Sequence, residues 1–147
     1  GNACDPDDDN DGVEDAVDCA PLNASATGPP GAVGSVSVDK SPATSLSWSG
    51  VVAAERYDVL SGSLDGLRSD GSVAGGTCAG DDVAATSWTD PRPDPAAGAG
   101  VYYLLRAQNT CGEGGYGTSS AGAIPRRRAA SAGRSGRTRR RLWMATW

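Results

Sequence analysis

From Asp7 to Asp18 the chain reads Asp-Asp-Asp-Asn-Asp-Gly-Val-Glu-Asp-Ala-Val-Asp, and residues 1–23 hold eight carboxylates with no lysine or arginine. Carboxylates crowded in this way repel one another, and a segment with so few apolar side chains cannot collapse around a core of its own. Only a multivalent cation offsets that repulsion locally. The spacing D-x-D-x-D-G-x-x-D-x-x-D is that of a twelve-residue cation loop, in which positions 1, 3, 5, 9 and 12 offer side-chain or water-mediated oxygens, position 7 offers its carbonyl and position 6 turns sharply. Those places fall on Asp7, Asp9, Asp11, Asp15 and Asp18, with Val13 at the carbonyl position and Gly12 at the turn. Glycine suits the turn because it has no Cβ to penalise a positive φ. The shorter Asp18 stands where such loops usually carry glutamate, which implies monodentate or looser ligation there. An all-oxygen donor set favours Ca²⁺ over zinc or copper, and a flexible loop favours it over octahedral Mg²⁺. The plain alternative is a solvated acidic run; the spacing and the glycine weigh toward calcium.

The rest of the chain is built of different material. Residues 24–124 carry ten acids against five bases, and residues 125–147 carry eight arginines and no acid, so the net charge of −5 hides three segments of −8, −5 and +8. The length of 147 residues fits one domain with short appendages. Its 21 glycines and 9 prolines, with no phenylalanine, favour short strands and turns over helix bundles. The absence of histidine removes Ser-His-Asp and Cys-His catalysis and every imidazole-dependent zinc site. No run of about 18 apolar residues encodes a membrane span. The chain opens on Gly1 and not on methionine, and is read as a fragment or a processed product.

After a linker rich in Pro, Gly, Ala and Ser, short alternating runs separated by turn residues predict strands. Val33, Val36 and Val38 make the first, Leu46 and Trp48 the second, and Tyr57 and Val59 within 56–61 the third. Trp88 lies in a run over 85–90; Val101, Tyr103, Leu105 and Ala107 alternate inward along 101–109; a last run surrounds Tyr116. The glycine-rich stretch between Ser61 and Thr86 gives no clear pattern. The class is mainly β, an antiparallel sandwich of seven strands or fewer.

Two families are resembled. The run from Gly1 through Cys4, Asp5, Pro6 and the Asp7–Asp18 loop to Cys19-Ala20-Pro21 resembles the thrombospondin type 3 repeat, whose aspartate-rich calcium loops follow one another and are joined by disulfides. The resemblance implies that Asp7, Asp9, Asp11, Val13, Asp15 and Asp18 ligate Ca²⁺, and that Asn2 and Asp5 close an upstream repeat. A dockerin needs two loops each followed by a helix, and one loop is visible. The order Leu46-Ser47-Trp48, Tyr57-Asp58-Val59 and Val101 to Asn109, followed by a glycine-rich turn before Tyr116, resembles a fibronectin type III domain. That implies an immunoglobulin-like sandwich with Trp48 as its central aromatic. Where that family carries its corner tyrosine this chain has Val101, leaving Tyr102 or Tyr103 to substitute. The domains are then residues 1–23 as the calcium repeat, 24–31 as linker, 32–122 as sandwich and 123–147 as an Arg-rich tail expected to be disordered.

Four cysteines with no C-x-x-C pair suit disulfides in an oxidising compartment. One pair in each half favours Cys4–Cys19 and Cys78–Cys111, each closure contributing about 3–4 kcal/mol; the rival has Cys4 paired upstream of Gly1, with Cys19 left over. Asn23-Ala24-Ser25 is a glycosylation sequon, and no Arg-Gly-Asp is present. Asp81, Asp82, Asp90 and Asp94 could supply a carboxylate pair for glycoside hydrolysis, but all sit among turn residues where aspartate is common. Trp48, Trp88 and Tyr57 read as core, with Tyr102 the one outward aromatic for a sugar platform. The arginine tail could contact nucleic acid or an anionic surface, although a basic run alone is weak evidence. The reading as a whole is a non-enzymatic, extracellular or cell-surface module, with calcium as its ion and a protein or cell-surface partner. The alternatives are a glycan-binding accessory module and a nucleic-acid or surface binder.

Overall fold

The computed structural model describes residues 4–119, 122 and 123; the Arg-rich tail expected from residue 123 onward lies, past Ala123, outside the described residues. The chain is mainly β: β1 (Ser37–Lys40), β2 (Thr44–Ser47), β3 (Arg56–Ser63), α1 (Leu64–Asp70), β4 (Thr77–Val83), β5 (Ser87–Thr89), β6 (Val101–Asn109), β7 (Gly112–Glu113), β8 (Thr118–Ser119) and β9 (Gly122–Ala123). Every pairing is antiparallel. One sheet runs in the order β1-β2-β5 and another β4-β3-β6-β7, with β8 and β9 as a separate ribbon.

The period-two pattern of β3 and β6 explains the core. Tyr57 and Val59 pair with Ala107 and Leu105 across the two strands, and all four are buried, as are Leu46 of β2 and Trp48 just past its end. These six residues form one cluster, with Val33, Val51, Ala54, Ala79, Val83, Trp88 and Tyr103 packed around it. Trp48 meets Tyr57 edge-on at 5.3 Å between ring centroids, and the Tyr57 hydroxyl accepts from the Val51 amide at 3.0 Å. Trp88, on β5, sits over Gly80 of β4, where an added Cβ would stand 2.8 Å from the indole Nε1. The two sheets therefore share one apolar interior, with Trp48 among its buried residues.

Several expectations change. The first strand is confined to Ser37–Lys40, and Val36 and Val38 are exposed. Val38 lies opposite Leu46 but on the edge strand, beyond the cover that Leu46 receives. The 61–86 stretch contributes α1 and β4. Ser63 caps α1 by accepting from the Asp65 amide, and Gly71, at φ 61°, ends it by donating to the Leu67 carbonyl. The last strand of the four-stranded sheet is the two-residue β7, and Tyr116 lies outside any strand. Val101 opens β6 at 36 % exposure, while Leu105 and Ala107 are buried.

The expected cysteine pairing is also corrected. Cys19 is bonded to Cys111, with Cα atoms 5.0 Å apart and a sequence separation of 92; this excludes both Cys4–Cys19 and Cys78–Cys111. Cys78 is an exposed free thiol. The reason lies in the path of the linker. Ala26 and Pro30 are buried, Asn109 donates its side-chain amide to the Gly28 carbonyl at 3.1 Å, and Ala32 bridges to Arg106. The segment runs along β6 and carries Cys19 to the β6–β7 turn.

Candidate metal centre

The acidic segment is organised by its own carboxylates. The Asp7 carboxylate accepts from the Asp11 amide at 3.2 Å through Oδ1 and from the Gly12 amide at 3.0 Å through Oδ2. Asp9 Oδ1 accepts from the Asp11 amide at 3.2 Å, and Asp11 Oδ1 from the Val13 amide at 2.8 Å. These short-range contacts are the habit of aspartate in turns, and they wrap the chain around the carboxylates of positions 1, 3 and 5. Asn10 at φ 58° and Gly12 at φ 95° supply the left-handed turns, so the glycine stands where position 6 requires it.

The loop closes on itself at two points. The Asp15 amide donates to the Pro6 carbonyl at 2.8 Å, and Asp15 Oδ1 accepts from the Asp8 amide at 2.9 Å. A short turn follows, with the Val17 and Asp18 amides both donating to the Glu14 carbonyl at 2.9 Å. It brings Asp18 round to Cys19, where Asp18 Oδ1 accepts from the Ala20 amide at 2.9 Å.

Ligand oxygens from Asp7, Asp9 and Asp11 lie within 4.8 Å of one another. The second oxygens of Asp9, Asp11 and Asp18 are buried and accept no hydrogen bond. A buried carboxylate oxygen without a donor is costly; the Asp7, Asp9 and Asp11 group holds two of them, and Asp18, grouped with the Cys19 and Cys111 sulfurs, holds the third. The Asp9 pKa is raised, first by loss of solvation and then by the Asp11 carboxylate, with Asp18 adding to the repulsion.

The sequence-derived ligand set is therefore divided. Asp7, Asp9 and Asp11 are brought together; Asp18 groups instead with the Cys19 and Cys111 sulfurs; Asp15 is turned to the Asp8 amide and acts as a closure. At Val13 the amide contributes to the loop. Asp5, read from the sequence as closing an upstream repeat, joins this loop through its Oδ1, which accepts from the Asp7 amide at 3.3 Å. Asp5 was legible as one more acidic residue at alternate spacing.

Of the other carboxylates considered, Asp82, Asp90 and Asp94 are engaged. Asp90 pairs with Arg92 and accepts from the Tyr103 hydroxyl, Asp94 pairs with Lys40 at 3.2 Å, and Asp82 accepts from Gln108 at 2.6 Å. Asp58, Asp81 and Asp82 form a second acidic group, in which Asp58 is satisfied by Arg106, Gln108 and the Asp82 amide. Tyr102 does not stand free as a platform. Its ring covers Gly62 on the neighbouring strand, within 2.6 Å of where a Cβ would be, and its hydroxyl donates to the Val73 carbonyl at 3.2 Å.

No family model, no curated protein and no solved structure matches the chain. The residues themselves carry the functional reading. Among the described residues no helix is long and apolar enough to cross a membrane.

Proposed function

We propose that this chain is an extracellular, non-enzymatic module in which Ca²⁺ orders an acidic arm and a β-sandwich presents a surface to a protein or cell-surface partner. One observation carries the calcium reading: the buried, unpartnered oxygens of Asp9, Asp11 and Asp18, in the loop where Asp7, Asp9 and Asp11 converge. Asp7, Asp9, Asp11 and Asp18 would hold the ion by their carboxylates, with Val13 contributing its carbonyl and Asp15 its second oxygen or a bridging water. Bound calcium would supply the charge that a segment with eight acids and no base lacks. At a dissociation constant of about 0.1 mM and about 1 mM free Ca²⁺, linkage contributes roughly 1.4 kcal/mol to the ordered arm.

The likeness to a thrombospondin type 3 repeat is supported by the turn geometry at Gly12, and the likeness to a fibronectin type III domain by the strand orders β1-β2-β5 and β4-β3-β6-β7 around Trp48. Tyr103, two residues beyond Val101, supports the corner-tyrosine role by reaching back to Asp90 at 2.6 Å. The Cys19–Cys111 bond suits an oxidising compartment.

Calorimetric titration with CaCl₂ tests the reading. The oxidised chain is expected to bind one Ca²⁺ at sub-millimolar concentration, and an Asp9→Asn, Asp11→Asn variant to lose at least tenfold in affinity. Equal heats for both proteins would remove the loop from the account.

A further inference from the structure

The calcium loop ends at a covalent junction. Asp18 and Cys19 are neighbours in sequence, and a carboxylate oxygen of Asp18 lies within 4.8 Å of the sulfurs of both Cys19 and Cys111. The same residue carries one of the three buried, unpartnered oxygens. Around the disulfide the chain is tightly turned: the Asn23 amide donates to the Ala20 carbonyl and the Ala26 amide to the Asn23 carbonyl, both at 2.8 Å. Ala26, wholly buried, rests its carbonyl oxygen 3.1 Å from Cys111 Sγ. On the sandwich side the Cys111 amide donates to Asn109 Oδ1 at 2.9 Å, at the end of β6. The last ligand of the loop is thus fastened to the four-stranded sheet by one bond, and Asn23 belongs to the turn beside that bond.

We infer that the Cys19–Cys111 disulfide sets the calcium affinity of the Asp7–Asp18 loop, so that calcium binding and thiol redox state are coupled at this junction. The inference rests on the calcium reading above and adds its regulation. With the bond intact, Asp18 and the Asn23 turn are held beside the disulfide, and the loop meets the ion with its last ligand already placed. Reduction by a dithiol such as dithiothreitol transfers two electrons and two protons: the S–S bond breaks, two S–H groups form, and the reductant closes its own disulfide. Asp18 then keeps only its local turn, and ordering it falls to the ion. Cys19 is exposed, so the bond is within reach of a reductant. Because coupling between sites is reciprocal, bound calcium protects the disulfide to the same extent that the disulfide strengthens calcium binding.

The test uses the full chain in a dithiothreitol redox series, with and without saturating Ca²⁺. The state of the Cys19–Cys111 pair is followed by alkylation and peptide mass spectrometry, because Cys4 and Cys78 also carry sulfur. A tenfold coupling displaces the midpoint by about 30 mV to more negative potential when calcium is present. The Asp9→Asn, Asp11→Asn variant is expected to show no displacement. The Cys19→Ser, Cys111→Ser variant is expected to keep the near-ultraviolet dichroism of the sandwich while binding Ca²⁺ about tenfold more weakly than the oxidised chain. Calcium binding by the oxidised chain with an unmoved midpoint overturns the coupling and leaves the calcium site standing. Loss of the sandwich signal in the serine variant overturns the local coupling as well. Absence of calcium binding by the oxidised chain overturns the calcium reading and the coupling together.

Discussion

The Tyr103 hydroxyl donates to Asp90 Oδ2 at 2.6 Å, joining β6 to the turn that follows β5. The same carboxylate is gripped by the Arg92 guanidinium through Nε at 2.8 Å and a terminal nitrogen at 2.6 Å. Arg92 in turn donates to the buried Ser61 hydroxyl on β3 at 2.9 Å. Two sheets are therefore pinned at one end by a charged network whose central acid is buried. Hydrogen bonds to charged groups contribute about 1.5–3 kcal/mol, so Tyr103→Phe is expected to destabilise the fold by about 2 kcal/mol in urea unfolding. An unchanged midpoint would show that Arg92 alone suffices for Asp90.

The network also fixes a pH dependence. The Arg92 hydrogen bond, aided by Tyr103, holds the Asp90 carboxyl well below the usual carboxylate range. Its contribution is complete above about pH 4, where the unfolded chain is ionised too, and is lost as the pH falls below that. Tyr103 behaves in the opposite sense: burial, and then the Asp90 carboxylate, push its phenol up to about 12. The unfolded tyrosine ionises near pH 10, so the contribution is complete below about pH 10 and is lost as the pH rises toward 12. Unfolding free energies of the native chain minus those of Asp90→Asn are expected to shrink below pH 4, and the difference from Tyr103→Phe to shrink above pH 10.

On the outer side of the four-stranded sheet, Asp58 is 5 % exposed and accepts from Arg106 Nε at 2.8 Å. Arg106 also bonds Glu113 and lies 5.5 Å over the Tyr116 ring. Removing one partner of a buried pair leaves the other uncompensated, and Asp58→Ala is expected to cost about 3 kcal/mol, the low end of such losses because Glu113 remains to Arg106. Urea unfolding monitored by tryptophan emission measures it; a cost below about 1 kcal/mol would assign the pair to the surface.

Gly80 tests the seating of the sheets on one another. A methyl there would approach the Trp88 indole to 2.8 Å, and overpacking of this kind costs about 1–3 kcal/mol. Gly80→Ala is expected to lower the melting temperature and shift the Trp88 emission, whereas Gly28→Ala, with open space around its Cβ position, leaves both unchanged.

The strands β2, β3 and β6 could be read in the sequence because Leu46 and Trp48, Tyr57 and Val59, and Leu105 and Ala107 repeat at period two and face one interior. β4 was hidden by its own chemistry: Gly80 replaces an apolar side chain to admit Trp88, and the register shifts between Tyr57 and Leu60 break the alternation around Asp81 and Asp82. Val36 and Val38 misled because hydrophobicity marks a strand but not whether a second sheet covers it. In the loop, the places of Asp7, Asp9, Asp11 and Gly12 followed from spacing alone, since each carboxylate meets an amide within five residues. The Cys19–Cys111 bond spans 92 residues and is set by the path of the linker along β6, a through-space fact with no local signal.

Two-dimensional amide spectra of the oxidised chain, recorded in a chelator and then in saturating Ca²⁺, test the central claim most directly. Large displacements are predicted for the amides of Asp7 through Asp18 and for Asn23, with the Leu105 and Ala107 amides unmoved. Superimposable spectra across the loop would contradict the assignment of its buried aspartate oxygens to a cation.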